Sequence, residues 1–312
     1  MKPGEFDLIA RLRKRVAART DVQIGIGDDA ALLAPPPGQT LVVTADTLNA
    51  GIHFPLDTAA ADIGWKSLAV NLSDLAAMGA KPAWCTLSLS LPEGDPHWWD
   101  AFLDGFLALA DQHGIALVGG DTTRGPLSIA VTAMGFVEPG HALRRDGART
   151  GDDVWVSGTL GDAAAALALD SRTGSALRLR LDRPTPRVTL GRALTHRAHA
   201  AVDVSDGLLA DLGHVCRASG VAAEIELERL PASPALLETG SGHRFDWQAC
   251  GGDDYELCFT ADAQQRDRIV ALSAELDLRL TRIGRIVAGD GVRALDARGQ
   301  AWQPERVGYT HF

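Results

Sequence analysis

Six short segments of the chain each place an aspartate beside glycine, serine or a second carboxylate. They cover residues 25–29, 44–47, 71–74, 118–123, 203–207 and 251–256. Most of these segments follow or interrupt an apolar, β-branched run, which predicts loops at strand ends or at helix starts. Hard oxygen ligands presented from loops suit Mg²⁺, which binds through a few carboxylates together with water and substrate phosphate. The pattern therefore predicts metal-dependent phosphate chemistry on a scaffold of alternating strands and helices.

The length and composition of the chain predict a two-domain globular protein. Its 312 residues exceed what one typical hydrophobic core supports, and 46% hydrophobic with 22% charged residues is usual for a soluble protein. The sequence has no run of eighteen apolar residues, and its first residues lack the apolar segment of a signal peptide. The four cysteines show no C-x-x-C spacing, which favours free thiols over a disulfide or a zinc site. We therefore expect a cytoplasmic protein.

The formal net charge of -10 restricts the possible partners. Binding to nucleic acid or to an anionic membrane depends on neutralising phosphates with lysine and arginine, so we expect neither partner. A carboxylate-rich pocket can hold a polyphosphate only if cations lie between the two sets of negative charge, which is a second reason to expect Mg²⁺. No G-x-x-x-x-G-K-[ST] sequence occurs and only four lysines are present. Phosphate binding must therefore depend on metals, backbone N–H groups and arginine.

Hydrophobic periodicity predicts that strands and helices alternate through both halves of the chain. The predicted helices cover 5–19, 58–78, 95–113, 161–169, 207–218 and 266–276, and a further helix opens at 184–186. The predicted strands cover 40–45, 83–91, 115–118, 127–136, 154–157, 201–204, 222–227, 255–260 and 278–286. A Glu-Pro-Gly sequence at 138–140, followed by an arginine-rich stretch, is the best candidate boundary. We predict an N-terminal α/β domain over 1–138, a linker over 139–152 and a C-terminal α/β domain over 153–312.

The segment 118–126 is the most informative single motif. Its two glycines follow a predicted strand and let the backbone approach a ligand, which presents Asp121 beside two threonine hydroxyls. The alternative is a tight turn in which the Asp121 side chain accepts hydrogen bonds from its own backbone. The residues alone leave both interpretations open.

The segment 203–208 predicts a strand end that runs into a helix start. In the simpler interpretation, Ser205 or Asp206 is only the N-cap of that helix, which leaves Asp203 unexplained. In the functional interpretation, Ser205 binds a phosphate oxygen at the helix N-terminus while Asp203 and Asp206 hold Mg²⁺. The functional interpretation is favoured because it accounts for all three polar residues.

Further aspartates are candidate metal ligands, each with a structural alternative. Asp28 and Asp29 form either a solvated turn or a pair whose repulsion a metal relieves. Asp46 ends a predicted strand and has no polar neighbour that needs it. Asp74 interrupts an apolar helical stretch, so it lies either on the outer face of the helix or in a site.

Two basic residues in predicted loops are weaker candidates. His53 follows Gly51-Ile52, and a lone loop histidine is usually only exposed. Arg145 has Arg144 and Arg149 nearby, which indicates either a solvated basic loop or a clamp on the phosphates or adenine region of ATP.

Taken together, these segments resemble the thiamine-monophosphate kinase family, whose members use ATP to phosphorylate thiamine monophosphate. The segments that carry the resemblance are residues 4–9, 25–30, 46–48, 51–54, 68–80, 119–126, 203–207, 251–259 and 308–312. They follow one another in order from end to end, which is far more specific than any single motif. The family is related to aminoimidazole ribonucleotide synthetase and selenophosphate synthetase. Selenophosphate synthetase is disfavoured because the first cysteine here is Cys85, far from the N-terminus.

This resemblance implies two α/β domains like those of aminoimidazole ribonucleotide synthetase, with N-terminal domains paired in a homodimer and ATP in a cleft between the domains. It also implies several Mg²⁺ ions, ATP as co-substrate and thiamine monophosphate as acceptor. The residues that resemble the family's Mg²⁺ ligands are Asp29, Thr44, Asp46, Asp74, Asp121, Asp203 and Asp206. Those that resemble its ATP contacts are Gly120, Asp121, Arg145 and Ser205. Those that fall where substrate is held are His53 and Asp253, with Trp302 or Tyr309 as the aromatic partner.

The chain departs from the family pattern at three places. Ala45 replaces a threonine, so no hydroxyl is available there for a metal. Asp253 replaces a glutamate, which shortens the side chain by one methylene. Near the C-terminus, Arg306 and Val307 stand where an aromatic commonly stacks on the substrate, which is why Trp302 or Tyr309 must substitute.

The implied reaction is direct in-line transfer of the γ-phosphoryl group of ATP to thiamine monophosphate, which gives thiamine diphosphate and ADP. Two alternatives remain open. A Mg²⁺-dependent hydrolase of phosphate esters could use the same carboxylates, but it would not need Arg145 and Ser205. A nucleotide- or thiamine-binding homologue without catalysis is the other alternative, and Ala45 and Asp253 are the residues that favour it.

Overall fold

The computed structural model describes residues 5–172 and 174–310, with side chains of the first helix described from Ile9 onward. The polypeptide forms two compact units. The first comprises the residues up to Leu75 with Ala80–Gly140, and the second comprises Ala76–Gly79 with the residues from His141 onward. Each unit contains a β-sheet and helices, which confirms the predicted two-part α/β class. Among the helices of the described residues, none combines the length and apolar character of a membrane span.

The first unit is built around a four-stranded sheet with the order β3-β6-β4-β5. Strands β4 and β5 run parallel, whereas β6 is antiparallel to both β3 and β4. A separate antiparallel pair is formed by β1 and β2. The elements are α1 (Glu5–Arg13), β1 (Val22–Ile24), β2 (Leu32–Leu33), β3 (Thr40–Asn49), α2 (Ala60–Ala77), β4 (Lys81–Leu91), α3 (Pro96–His113), β5 (Ala116–Arg124) and β6 (Ser128–Val137).

Helix α3 begins and ends where its local sequence predicts. The Asp95 side chain accepts a hydrogen bond from the backbone N–H of His97 at 2.9 Å. Pro96 occupies the first turn, where a missing N–H leaves no donor unsatisfied. Gly114 ends the helix with φ 61°, in the left-handed region that glycine adopts readily.

Helix α2 packs against α3 and lies over one face of the sheet. It approaches α3 so closely that a Cβ atom on Gly105 would overlap the carbonyl oxygen of Ala61. On its sheet side, the Asn71 side-chain oxygen accepts a hydrogen bond from the backbone N–H of Asp46 at 3.2 Å. This packing places polar side chains of α2 directly over the middle of β3.

The opposite face of the sheet is only partly covered. Trp84 packs there beneath the β1–β2 pair. Val43 shares that face because its register partner on β6 is Met134, which is also the partner of Trp84 on β4. Leu41 and Val43 are nevertheless 49% and 56% exposed. The face therefore carries an apolar strip along β3.

The second unit contains a seven-stranded sheet with the order β13-β12-β9-β11-β7-β10-β8. Strands β9 and β12 run parallel and the other neighbouring pairs are antiparallel. Its core includes Val156, Leu212 and Ile225, all buried. The elements are β7 (Asp153–Ser157), α4 (Asp162–Ala168), α5 (Ala176–Asp182), α6 (Val188–Leu194), β8 (Ala200–Asp203), α7 (Leu208–Ser219), β9 (Ala222–Glu226), α8 (Pro234–Glu238), α9 (Arg244–Cys250), β10 (Leu257–Ala261), α10 (Arg266–Glu275), β11 (Leu280–Val287), β12 (Gly291–Leu295) and β13 (Ala301–Trp302).

Two segments predicted as loops are parts of strands. The predicted strand 115–118 continues as β5 to Arg124 because it pairs with β4 as far as Leu91. The predicted strand 40–45 continues as β3 to Asn49 because it pairs with β6 there. Asp46 and Asp121 are therefore strand residues, and the prediction that they lie in loops is wrong.

The remaining differences concern short elements and helix ends. The first helix ends at Arg13 instead of 19, and the helix predicted to open at 184–186 begins at Val188. The unpredicted elements have at most seven residues, which is too few for periodicity to reveal. They are β1, β2, α5, α8, α9, β12 and β13.

Candidate functional site

Three candidate metal ligands come together between β3 and α2. The hydroxyl of Thr44 donates a hydrogen bond to Oδ2 of Asp74. Burial, with the negative charge of Asp74 as the second cause, raises the pKa of the Asp46 carboxyl to about 6. Two carboxylates and a hydroxyl held this closely are a hard-oxygen donor set that a divalent cation would stabilise. The residues present therefore fit Mg²⁺.

A second group of candidates lines a cavity of about 780 Å³ in the first unit. Asp28, Asp29 and Asp121 are exposed there. Asp28 accepts a hydrogen bond from the backbone N–H of Asp29, and Asp121 accepts one from the backbone N–H of Thr122, both at 2.8 Å. The tight turn of the simpler interpretation is not formed, because Asp121 lies within β5, but one of its carboxylate oxygens does accept a hydrogen bond from the adjacent backbone. Asp121 also lines the cavity.

Gly120 has a structural requirement that the sequence did not reveal. Its φ is +146°, and a Cβ atom there would overlap the carbonyl oxygen of Leu87 on the neighbouring strand. Glycine is therefore needed for β5 to pair with β4 immediately before Asp121. Within the described chain, the Thr44, Asp46 and Asp74 group is not among the residues that line this cavity.

His53 is held by two contacts in the first unit. Its Nδ1 atom accepts a hydrogen bond from the backbone N–H of Asn49 at 3.0 Å. Its carbonyl oxygen accepts one from Nζ of Lys66 at 2.9 Å. Lys66 is fully buried. No role was predicted for this lysine, although a lysine inside the apolar run of α2 indicates a buried partner.

In the second unit, a single carboxylate organises the segment 203–207. Oδ2 of Asp211 accepts hydrogen bonds from the backbone N–H groups of Ser205 and Asp206 at 3.0 Å and of Gly207 at 3.1 Å. Burial and the nearby charge of Asp206 raise the pKa of Asp211 to about 7, and the three N–H donors oppose the rise.

One prediction about this helix start is corrected. The N-cap residue of α7 is Gly207, with φ 125°, so neither Ser205 nor Asp206 is the N-cap. The backbone N–H groups of Ser205, Asp206 and Gly207, which precede α7, donate to Asp211, and the phosphate contact of Ser205 stays a prediction. Sequence reasoning missed Asp211 because its function depends on reaching back to the preceding loop, although an aspartate in the first helical turn is a recognised signal.

The segment 251–256 packs against this loop. The backbone N–H of Asp253 donates to the carbonyl oxygen of Ser205 at 2.8 Å, and that of Tyr255 donates to the carbonyl oxygen of Val204 at 2.8 Å. The backbone N–H of Tyr309 donates to the carbonyl oxygen of Asp206 at 2.9 Å. Ser205, Asp206, Asp253 and Tyr309 are therefore neighbours, and Asp203 lies at the end of β8 with 4% exposure.

Trp302 and Arg145 lie apart from that cluster. Trp302 lines a different cavity, of about 910 Å³, whose described lining does not include residues 203–207. Arg145 is exposed, and its carbonyl oxygen accepts a hydrogen bond from the hydroxyl of Ser219 at 2.8 Å. The same hydroxyl accepts a hydrogen bond from the backbone N–H of Ala148 at 3.1 Å. Ser219 thus fixes the backbone around Arg145, a function that the sequence did not indicate.

The family models and the most similar relatives that were compared with the chain indicate the same protein family. Residues 27–137 match the N-terminal domain of AIR synthase related protein, and residues 149–296 match its C-terminal domain. The chain is 45% identical over 322 residues to a thiamine-monophosphate kinase of Salmonella typhimurium, covering 100% of this chain and 99% of the relative. It is 45% identical over 324 residues to the thiamine-monophosphate kinase of Escherichia coli, again covering 100% and 99%.

Solved structures agree with the sequence relatives. A crystal structure of thiamine-monophosphate kinase from Stenotrophomonas maltophilia has a TM-score of 0.89 and 61% identity, and the match covers 97% of this chain and 99% of that one. A structure of AaThiL complexed with AMPPCP and TMP has a TM-score of 0.78 and 34% identity, and the match covers 99% and 97%. The chain therefore belongs to the AIR synthase related proteins and, among them, to the thiamine-monophosphate kinase family.

Proposed function

We propose that this chain transfers the γ-phosphoryl group of ATP to thiamine monophosphate and releases thiamine diphosphate and ADP, with Mg²⁺ as the required cation. The observation that carries the proposal is 45% identity to thiamine-monophosphate kinases over the full length of the chain. The donor set of the first unit supports the cation, because Asp46 and Asp74 are held together at the expense of charge repulsion.

The residues proposed to hold Mg²⁺ occupy three places. Bound Mg²⁺ would neutralise the phosphates and the developing charge on the transferred group. The ligands proposed in the first unit are Thr44, Asp46 and Asp74 between β3 and α2, with Asp29 and Asp121 at the cavity. Those proposed in the second unit are Asp203 and Asp206.

The proposed substrate contacts bind and orient the two reactants. Gly120, Asp121, Arg145 and Ser205 are proposed to contact ATP. Arg145 is suited to this because its exposed guanidinium extends from a backbone that Ser219 fixes. His53, Asp253 and Tyr309 are proposed to contact thiamine monophosphate. Trp302 is the less favoured aromatic, since its cavity does not include the 203–207 loop among its described lining.

No general base is assigned to the reaction. The acceptor is a phosphate oxygen that is already ionised at neutral pH, so no proton has to be removed before attack. The proposed contribution of the protein is to align the two polyanions and to offset their repulsion. The carboxylates proposed as Mg²⁺ ligands in the two units would serve that purpose through the bound cations.

A homodimer is proposed through the first unit. Leu41 and Val43 form an apolar strip on the partly covered face of the sheet. Burying such a strip against a second copy would remove apolar surface from water, and each fully buried side chain of this size contributes about 1.5–3 kcal/mol.

The experiment that tests the reaction measures ADP and thiamine diphosphate together. The purified chain is incubated with ATP, Mg²⁺ and thiamine monophosphate, and the products are separated by anion-exchange chromatography. We expect equal amounts of the two products, none when thiamine monophosphate is replaced by thiamine, and none with excess EDTA. Release of inorganic phosphate instead of thiamine diphosphate would favour the hydrolase, and absence of acceptor-dependent ADP would contradict the proposal.

A further inference from the structure

Asp254 is a buried carboxylate next to the proposed substrate residue Asp253. Its side chain is 3% exposed. Its two carboxylate oxygens accept hydrogen bonds from one donor, the backbone N–H of Gly161, at 3.0 and 2.9 Å. Gly161 is the N-cap residue of α4, with φ 91°. As a glycine, it has no side chain that could cap the helix. Asp254 therefore joins the segment 251–256 to the start of α4.

The residues on both sides of Asp254 have strained backbones. Asp253 has φ 67° and Tyr255 has φ 50°, in the left-handed region that residues other than glycine rarely adopt. Such conformations persist only where surrounding contacts enforce them, and they are concentrated at functional sites. The phenolic hydroxyl of Tyr255 also donates to Oδ1 of Asp253 at 3.1 Å. The strain and this contact both act on the carboxylate that is proposed to contact substrate.

Glu256 anchors the other end of the strained segment. It is fully buried, and its carboxylate accepts hydrogen bonds from the hydroxyl of Ser157 at 2.6 Å, from Nε of Arg187 at 2.6 Å and from Nη2 of Arg180 at 2.8 Å. Its carbonyl oxygen accepts a hydrogen bond from the backbone N–H of Val204 at 2.8 Å. The segment thus has two interior anchors, the side chains of Asp254 and Glu256, and its backbone is also joined to residues 204–205 through the N–H groups of Asp253 and Tyr255.

We propose that Asp254 is a positioning residue for the acceptor substrate, because its contact with Gly161 enforces the left-handed turn that holds Asp253 against the Ser205 loop. This inference rests on the proposed function, and it gives the second carboxylate of the Asp253–Asp254 pair a role distinct from metal binding. Loss of the contact allows Asp253 to adopt ordinary backbone angles, which redirects its side chain.

The test compares Asp254→Ala with Asp254→Asn in the full-length protein. Alanine removes the carboxylate that accepts the hydrogen bond of the Gly161 N–H. Asparagine keeps one oxygen that can accept this hydrogen bond in the same place. Burial raises the pKa of Asp254 well above its usual range, so an uncharged amide is a close substitute. We expect D254A to raise the KM for thiamine monophosphate about tenfold, because Asp253 is then no longer held in the orientation that is proposed to contact substrate; a tenfold change corresponds to about 1.4 kcal/mol. The KM for ATP should stay unchanged, and D254N should restore the KM for thiamine monophosphate.

A matched control separates positioning from general destabilisation. Asp153 is a comparably buried carboxylate of the second unit, 2% exposed, but its partners are Arg266 and Arg282 on α10 and β11. Asp153→Ala should lower the melting temperature without changing either KM. An equal rise of KM in D153A and D254A would overturn the proposal, as would a D254A variant with both KM values unchanged. Absence of kinase activity in the wild-type protein would instead contradict the proposed function.

A further variant keeps the test decisive if D254A does not fold. Asp254→Glu retains the carboxylate but lengthens the side chain by one methylene, which displaces the strained turn from Gly161. We expect D254E to raise the KM for thiamine monophosphate while circular dichroism shows a native fold. A wild-type KM for thiamine monophosphate in D254E would contradict the positioning role.

Discussion

The hydroxyl of Thr44 donates a hydrogen bond to the Asp74 carboxylate, and this contact joins the middle of β3 to α2. It fixes Asp74 beside the half-buried Asp46, whose carboxyl has a pKa raised first by burial and second by the charge of Asp74. A protein gains no stability from holding two carboxylates together in this way. The arrangement is therefore best explained by its capacity to bind a cation.

Asp46→Asn should abolish turnover while leaving the fold intact. The substitution removes one anionic oxygen from the donor set and keeps the shape of the side chain, so core packing is unaffected. We expect kcat to fall about 100-fold or more, because a metal ligand contributes several kcal/mol to charge stabilisation. Steady-state assays across a Mg²⁺ titration measure kcat for D46N and the wild type. The control variant is Asp111→Asn, which changes an exposed aspartate on α3. Unchanged activity in D46N would place the metal centre elsewhere.

The same variant should be more stable than the wild type when Mg²⁺ is absent. Above pH 6 the wild-type folded state must hold Asp46 ionised, and its pKa rise from 3.8 to about 6 corresponds to a destabilisation of about 2–3 kcal/mol. As pH falls from about 6 towards 3.8, the folded state takes up a proton that the unfolded state does not, so the wild type recovers this stability. Urea unfolding in EDTA at pH 8 and pH 5 should show the difference shrink on acidification. Equal stability of the two proteins at pH 8 would contradict the raised pKa of Asp46 in the folded state.

Gly120→Ala should disrupt the first unit, whereas Gly119→Ala should not. A methyl group at 120 would overlap the Leu87 carbonyl oxygen and would require φ +146° from an L-residue. We expect a loss of about 2–4 kcal/mol in the free energy of unfolding. At Gly119, no heavy atom of the described chain lies within 4 Å of the added methyl, so the change should stay within about 0.5 kcal/mol. Thermal denaturation of both variants measures the contrast, and similar melting temperatures would show that β5 can shift.

Asp211→Ala should weaken catalysis through the backbone of the 203–207 loop. Three N–H groups lose their common acceptor, so we expect a loss of about 2 kcal/mol in stability and about tenfold or more in kcat/KM. Asp211→Asn keeps one acceptor oxygen and should have a smaller effect. His214→Ala, an exposed change on the same helix, is the control. Hydrogen exchange of residues 205–207 should accelerate in D211A, and unchanged exchange would show that Asp211 does not hold this loop.

Local sequence predicted those elements whose ends are set by neighbouring residues. Helix α3 is an example, because Asp95 caps it and Gly114 ends it. The predicted ends of β3 and β5 were wrong because the observed ends depend on pairing with distant strands. Asn49 pairs with Ser128, and Arg124 pairs with Leu91. Glycines usually interrupt strands, so the pair at 119–120 indicated a turn, and only the close approach of β4 explains why a strand needs glycine there.

The same distinction applies to the candidate site. The residue types that carry the chemistry were recognisable, and the contact of Thr44 with Asp74 confirms that two separate segments meet. The supporting residues Asp211, Lys66 and Ser219 were not recognisable, because each is defined by the backbone group that it reaches. Such contacts join positions that periodicity and spacing treat independently.

Val43→Lys should convert the proposed homodimer into a monomer. Val43 lies on the partly covered sheet face of the first unit with 56% exposure, and a lysine there would place a charge within the proposed apolar contact. Light scattering after size exclusion should give the mass of two chains for the wild type and of one chain for V43K. Leu169→Lys changes a similarly exposed residue of the second unit, 48% exposed, and should remain dimeric. A monomeric wild type, or a dimeric V43K, would show that β3 does not form the interface.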